Sequence, residues 1–499
     1  MRALFTTALV ALLAAGCGGG GSGGGTDGGG PAAPAPAVPG GGTSAGLYAP
    51  IGLLLDEVQS SPEWGHGTAL ALADADGDGD LDVFAGYPGN EIDGLDDAGA
   101  VWIYLNSPTG FGVPVEITAR DWWPTEPQVG GRFGMYLYAG DFDGDGFDDV
   151  AIGAPSEDVD GVVDAGRVYI RFGTGDGLGL YAGPFGDPSG GETGAEFGGS
   201  FAAGDVTGDG IDDLTVGSPG ATVGTVRGAG HVWVFVGDDP FAIGDQVIGP
   251  ATEAQARTDG GCGALIVVDD LDGDGRGEVL AAGPGTRTSA GRVTAFGLDV
   301  ARRLVPRTTF PVPAGGANSL FGAGMVTDDF DGDGDVDVAI GAPYATCGGV
   351  AAAGFVAIYE NRTLGSTLAF APGRVFGDVV PTSGAQFGAL LNVADADGDE
   401  RVDLVVGAPG TRIGGLEGAG RLHVLLQDDG WAFGVPGRRV VHAPTPSVEG
   451  AAFGAWIEVG DVTGDGLDDL VTGAPGPYED GLDLDLRRPG FVEVLPARP

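Results

Sequence analysis

The chain contains no lysine: its 23 basic residues are all arginine, set against 71 acidic residues. A formal charge of −48 at pH 7 repels nucleic acid and anionic lipid, so neither is an expected partner. Histidine is scarce too. His66, His231, His423 and His442 fall at unrelated places, which leaves no His-rich metal site. A Gly-x-Ser-x-Gly elbow, a phosphate-binding loop and a Cys–His pairing are all missing, so the chain is not expected to be an enzyme. A strict Gly-x-y period is absent, which excludes collagen.

What is present is glycine (101 residues), proline (33) and a hydrophobic content of 42%. That content builds a large core, and so much Gly and Pro favours many short strands and turns over long helices. The N-terminus stands apart. Met1-Arg2 followed by apolar Ala3 to Ala15 is too short to span a bilayer but suits a signal-peptide core. It ends in Leu13-Ala14-Ala15-Gly16-Cys17, which resembles a bacterial lipobox, although Ala14 stands where that pattern prefers Leu. Residues 1–17 are therefore expected to be a lipoprotein signal ending in a lipidated Cys17, with an ordinary cleaved signal as the alternative. Residues 18–46, nearly all Gly, Ser, Ala, Pro and Thr, have nothing to bury and suit a disordered tether. The expected location is the bacterial cell envelope, lipid-anchored at the outer membrane or cell surface, or otherwise secreted. Membrane contact is then through the anchor only. Cys262 and Cys347 either pair in that oxidising setting or remain two buried thiols.

Self-comparison of residues 47–499 is decisive. One aspartate loop recurs seven times, starting at Asp74, Asp141, Asp205, Asp270, Asp329, Asp395 and Asp461, with spacings of 67, 64, 65, 59, 66 and 66 residues. Eight residues before six of the loops stand Phe133-Gly134, Phe197-Gly198, Cys262-Gly263, Phe321-Gly322, Phe387-Gly388 and Phe453-Gly454; Trp64-Gly65 is assigned the same place before the first. After each loop an apolar run enters Gly-Ala-Pro or a variant, such as Gly153-Ala154-Pro155 or Gly283-Pro284. A strand of alternating large residues follows, as in Arg167-Val168-Tyr169-Ile170.

This arrangement resembles the FG-GAP repeat of the integrin α-subunit head and its bacterial relatives. The resemblance implies an all-β, seven-bladed propeller of four-stranded antiparallel blades, with the aspartate loop joining the first two strands of each blade. The last repeat stops at its third strand, Phe491 to Leu495, and an orphan strand at Ile51-Gly52-Leu53-Leu54-Leu55 precedes the first repeat. The N-terminal strand is therefore expected to complete the last blade and close the ring.

The loop pattern D-x-D-G-D-G-x-x-D turns its odd positions inward, so their oxygens converge on one point. Crowded carboxylates repel unless a hard cation sits among them, and calcium takes six to eight oxygens in irregular geometry. An EF-hand is excluded, because the twelfth residues (Ala85, Ile152, Val216, Ala281, Ile340, Val406 and Thr472) cannot ligate through a side chain. Up to seven Ca2+ sites are expected. The first is Asp74, Asp76, Asp78, Asp80 and Asp82; the second is Asp141, Asp143, Asp145, the carbonyl of Phe147, and Asp149. The third is Asp205, Thr207, Asp209, Ile211 and Asp213; the fourth is Asp270, Asp272, Asp274, Arg276 and Glu278. The fifth is Asp329, Asp331, Asp333, Asp335 and Asp337; the sixth is Asp395, Asp397, Asp399, Arg401 and Asp403; the seventh is Asp461, Thr463, Asp465, Leu467 and Asp469. Loops 1, 2 and 5 are expected to bind tightest. Loop 6, with Glu400 in place of its second Gly, is expected to be lost first. The loops hold nearly half of the 71 acids.

By the same resemblance, ligands approach the face opposite the calcium loops. There blades 1, 2 and 7 offer Glu91, Asp93, Asp96 and Asp97; Glu157, Asp158, Asp160 and Asp164; and Glu479, Asp480, Asp483 and Asp485, one acidic sector facing a basic partner or simply water. Loops 3, 4 and 6 carry Arg227, Arg287 and Arg412 instead. Trp122-Trp123 either stacks on a ligand or packs between blades. The function expected is a monomeric adhesion or protein-interaction module; the alternative is a carbohydrate-binding, lectin-like propeller.

Overall fold

The computed structural model describes the strand 53–54, residues 67–474 and residues 491–495. Left out within those spans are 123–124, 176–177, 180, 238–246, 252–257, 259, 286–289, 315–318, 364, 366, 400, 428–438 and 443–449. Cys17, the tether, Trp64-Gly65, Trp123, Glu400 and the acids of residues 479–485 lie outside the described residues.

Short alternating runs separated by Gly-rich turns can bury one face only by pairing with their neighbours. They do so here as seven four-stranded antiparallel sheets. Blade 1 runs Leu70–Ala73, Asp82–Tyr87, Ala100–Tyr104, Val115–Ile117 from inner to outer strand. Each inner strand touches that of the next blade, and Trp456–Gly460 of blade 7 touches Leu70–Ala73 of blade 1, so the blades form a ring. Every aspartate loop is the turn between the first two strands. The residue before it pairs with its ninth residue, as in Ala73↔Asp82 and Gly140↔Asp149. In blade 7, Leu53–Leu54 lies antiparallel to Phe491–Leu495 as the outer strand, with Leu53 opposite Val494.

The Phe-Gly and Gly-Ala-Pro signatures are two halves of a clasp between blades. Phe133 N–H donates to Ala98 O of blade 1 (3.1 Å), while Gly134 N–H donates to Gly153 O of its own blade (3.1 Å). The same pair of bonds joins Phe197 to Ala165 and Gly198 to Gly217. A Cβ added to Gly86, Gly217 or Gly341 would strike the carbonyl of the next blade's Gly134, Gly263 or Gly388. Gly473 meets Gly67 in the same way, which carries the clasp from blade 7 to blade 1. Gly67, which also donates to Gly86 O (3.1 Å), thus fills the Phe-Gly glycine position of blade 1. The assignment of that role to Trp64-Gly65 is corrected, since the clasp needs its glycine seven residues before the loop.

Phe133, Phe197, Phe321, Phe387 and Phe453 are fully buried in this clasp, each contributing about 1.5–3 kcal/mol of hydrophobic stabilisation. Cys262 occupies the same buried position in blade 4, and Cys347 lies on blade 5; no disulfide joins them. Trp122 is fully buried as well. Its Nε1 donates to Ile170 O (3.2 Å) and Ala182 O (3.1 Å), and its ring packs on Phe133, Tyr169 and Tyr181, so it serves blade packing.

On the inner strand of blade 7, Trp456 Nε1 donates to Glu458 Oε1 (3.1 Å) and to Leu70 O of blade 1 (3.3 Å). Burial pushes the Glu458 carboxyl up to about 8, against the hydrogen bond from Trp456.

Two outcomes follow from this packing. Gly341→Ala is expected to lower stability by about 1–3 kcal/mol in urea unfolding, while Gly112→Ala, whose Cβ would meet only Leu105 O at 3.5 Å, stays within about 0.5 kcal/mol of wild type. The raised Glu458 carboxyl favours the protonated form in the folded state, so stability falls as pH rises from about 4.5 to about 8. Glu458→Gln is expected to make that decline shallower, measured as the urea midpoint against pH. It will not abolish it, because Glu157 and Glu493 are also raised, to about 7, by burial.

Candidate metal centre

Each loop is wound by its first aspartate. In blade 2, Asp141 Oδ1 accepts from the N–H groups of Gly144 (2.7 Å) and Asp145 (3.1 Å), and Oδ2 accepts from Gly146 (3.0 Å). Asp143 and Asp145 then each accept from the N–H two residues on. Asp205, Asp270 and Asp329 make the same set of bonds. The coil needs left-handed backbone at Gly144 (φ 74°) and Gly146 (φ 89°), which glycine supplies without a Cβ clash.

The ninth position does something the spacing alone did not reveal. Asp82, Asp149, Asp213, Asp337, Asp403 and Asp469 are fully buried. One oxygen of Asp149 accepts from Phe142 N (2.9 Å) inside the loop, and the other from Gly173 N (3.0 Å) at the end of the third strand. The bond to the residue 24 positions on recurs from Asn106 to Asp82 (2.7 Å), Gly237 to Asp213 (2.9 Å), Asn361 to Asp337 (2.6 Å) and Gln427 to Asp403 (2.8 Å). These aspartates therefore brace the loop against its own sheet, a role the sequence pattern had folded into ligation. Burial first, then neighbouring carboxylates, push Asp149 up to about 8 and Asp82, Asp337 and Asp403 to about 7.

The loops are also tied to their neighbours. Asp148 Oδ2 accepts from Asp74 N (2.8 Å) and Asp468 Oδ2 from Asp395 N (3.0 Å), one blade to the next. Where the following loop has Val336 or Val402 at that eighth place, Asp269 and Asp328 cap the N–H of Asp270 and Asp329 from their own blade instead. Asn106 Nδ2 reaches Val462 O, and Asn361 Nδ2 reaches Leu271 O, both 2.8 Å.

The oxygens left over test whether the loops suit a cation. In the loops of blades 1, 2, 4, 5 and 6, three acidic residues each bring one oxygen within 4.8 Å of the others. These are Asp74, Asp76 and Asp78; Asp141, Asp143 and Asp149; Asp270, Asp272 and Glu278; Asp329, Asp331 and Asp333; and Asp395, Asp397 and Asp399. Several oxygens here are buried and receive no hydrogen bond: Asp74 Oδ1, Asp80 Oδ2, Asp272 Oδ1 and Asp337 Oδ2, with Thr207 Oγ1 in loop 3. Buried, unsatisfied oxygens are costly, and an all-oxygen donor set matches a hard divalent cation. Among the described residues, the Thr207 and Thr463 loops gather no such trio. Geometry thus separates loops 3 and 7 from the rest, and loop 6 keeps its three aspartates together.

Two features elsewhere bear on function. On the opposite face, short hairpins bridge Ile92 to Leu95 and Val159 to Val162. They place Asp93, Asp97, Asp160 and Asp164 at φ 50–55°, where blade 6 uses Gly414 and Gly418, so these acids have a conformational role. Glu157 leaves the proposed acidic sector altogether: it is buried, accepting from Tyr169 OH at 2.8 Å beside Arg167. Between blades 2 and 3, Asp187 takes hydrogen bonds from His231 Nε2 (2.8 Å), Ser189 Oγ (2.6 Å) and Ser218 Oγ (3.2 Å). Burial alone would raise Asp187, but these bonds outweigh it and hold its carboxyl at about 2. Both serines address the carboxylate and not the imidazole, which is a structural knot and not a nucleophile–base pair.

Comparison with known proteins agrees with this architecture. The FG-GAP repeat family matches residues 66–104, 133–170, 197–235, 321–359 and 453–482. The two blades without a match are blade 4, with Cys262 in the Phe place, and blade 6, with Glu400 in its loop. Among curated proteins, the chain is similar to integrin alpha-PS2 of Drosophila melanogaster, 33% identical over 177 residues, covering 33% of this chain and 11% of that protein. It is similar to integrin alpha-V of Gallus gallus, 29% identical over 178 residues, covering 34% of this chain and 15% of that protein. It also matches phosphatidylinositol-glycan-specific phospholipase D of Mus musculus, 27% identical over 171 residues, covering 33% of this chain and 20% of that protein. The chain thus spans only a small part of the length of these relatives. With the repeat's clasp joining blade to blade around a closed ring of seven, the chain is an integrin-α-like FG-GAP-repeat β-propeller.

Proposed function

We propose that this chain is a calcium-stabilised, envelope-anchored propeller that acts as an adhesion or protein-interaction module. The observation that carries the calcium part is the set of buried, unsatisfied oxygens in loops whose acidic side chains already converge. Calcium bound there would stabilise the folded ring by mass action, about 1.4 kcal/mol per site at ten times the dissociation constant. Metal analysis of the mature protein in calcium-containing buffer should find several ions per chain, and a chelator should lower the unfolding temperature. A preparation without bound calcium, equally stable in chelator, would overturn this role.

The interaction part draws on the named integrin relatives and on the exposed acids Glu91, Asp96 and Asp158 opposite the metal loops. A basic protein surface complements them, and such contacts steer association and weaken with salt. Protein binding is preferred to the lectin alternative because Trp122, a candidate sugar platform, is consumed by blade packing. Pull-down from the envelope fraction in calcium should capture a protein that chelator or charge reversal at Glu91, Asp96 and Asp158 releases. Capture indifferent to both would refute this surface.

The anchor rests on the lipobox-like run ending at Cys17. Labelling cells with a fatty-acid probe should mark the wild-type protein, and Cys17→Ser should lose the label and move to the soluble fraction. A wild-type chain that carries no lipid would leave only the secreted form.

A further inference from the structure

We propose that the aspartate loop of blade 4 is neutralised by the guanidinium of Arg307, which takes the place of calcium and makes that blade metal-independent. The proposal rests on the calcium reading of the other loops and sets this one apart from them. Arg307 Nη2 lies 2.9 Å from Asp272 Oδ2, and Nη1 lies 3.7 Å from Glu278 Oε1. The two acidic side chains are 1% and 3% exposed and the arginine 20%, so the pair is shielded from water. Charge-assisted bonds in such surroundings are strong, and breaking them leaves a buried charge uncompensated.

A bulge between the third and fourth strands, of a kind that blades 2, 3 and 5 also carry, and two departures from the repeat make room for this arginine. In the pairing of Val293–Leu298 with Leu304–Thr309, Ala295 faces Thr308 and Phe296 faces Pro306, which leaves Arg307 as the extra residue of a bulge. Bulges re-aim side chains, and this one sends Arg307 to the loop. Next, Gly297 lies in the path: a Cβ there would sit 2.7 Å from Arg307 Nη1 and 3.1 Å from Glu278 Oε1. Counting from the glycine that precedes the third strand, the equivalent residues in other blades are Leu105, Phe172, Val236, Glu360 and Leu426, all with side chains. Finally, Glu278 stands where every other loop has Asp. Its Oε2 keeps the bond to the loop, from Leu271 N at 3.1 Å. Counting from the same glycine, the counterpart of the third-strand brace donor is Leu298, which pairs with Leu304. The longer arm of Glu278 offers its other oxygen to Arg307.

Loop 5 provides the contrast. Arg362 approaches Asp333 (3.0 Å) and Asp331 (3.4 Å), but its side chain is 45% exposed and it lies just past the third strand, Phe355–Asn361, instead of within the fourth. A guanidinium held so loosely yields to a divalent ion, whereas Arg307 is built in. Asp272 Oδ1, buried and without a hydrogen bond, is the oxygen that a divalent ion would gain once Arg307 is removed.

Hydrogen exchange of the full mature chain, with and without chelator, together with bound-calcium analysis, tests this. Chelator should deprotect the 141–149 and 329–337 hairpins and leave 270–278 unchanged. Arg307→Gln should bind one more calcium per chain and make 270–278 respond to chelator, while Arg307→Lys, which keeps the charge, should gain none. A wild-type 270–278 hairpin as chelator-sensitive as 141–149, or no calcium gained by folded Arg307→Gln, would overturn the proposal while leaving calcium at the other loops intact. Absence of calcium from every wild-type hairpin would overturn the calcium role itself, and this proposal with it.

Discussion

Adjacent blades meet backbone to backbone where the glycine of one Gly-Ala-Pro run lies beneath the carbonyl of the next blade's Phe-Gly glycine. The contact recurs in six blades, from Gly86–Gly134 around to Gly473–Gly67, while blade 4 places Ala282 there beside Gly322. The neighbouring Phe ring fills the space beside it, so one motif supplies both close approach and apolar burial. Blade order, ring closure and the position of every aspartate loop depend on this clasp. Part of the glycine content follows from these six contacts and from thirteen left-handed glycines in the aspartate loops.

At the opposite end of each blade the constraint is electrostatic. A loop wound by its own first aspartate necessarily gathers carboxylates, and the brace from the ninth residue carries one of them into the sheet interior. Burial raises these carboxyls strongly, so the charged form is unfavourable until something positive lies close. A divalent ion answers that need in most loops by proposal, and an arginine in one. Both solutions follow from the same local charge, which explains how a single blade can change its cation without changing its fold.

The repeat was legible in the sequence because it is periodic: seven loops, their flanking glycines and the alternating strands all keep their spacing. Blade 1 was harder. Its Trp64-Gly65 looked like the missing signature, while backbone geometry assigns the place to Gly67. The sequence marked the loop residues as one set of candidate ligands and did not show their division of labour. Whether an aspartate winds, ligates or braces depends on which backbone N–H groups approach it, and the third-strand donors come from 24 residues away.

The sequence alone thus determined the number of blades, their all-β character and the acidic turn of each hairpin, because these are local and repeated. Tertiary structure alone decided what the non-repeating residues do. Trp122 and Glu157 look like surface groups in a loop, yet neighbouring strands enclose both. Asp93 and Asp160 look like ligand-facing charges but hold left-handed turns. Arg307 looks like any strand residue until a bulge and the bare Gly297 let it reach Asp272. Each outcome turns on the direction of a side chain relative to a partner distant in sequence, which composition and spacing do not encode.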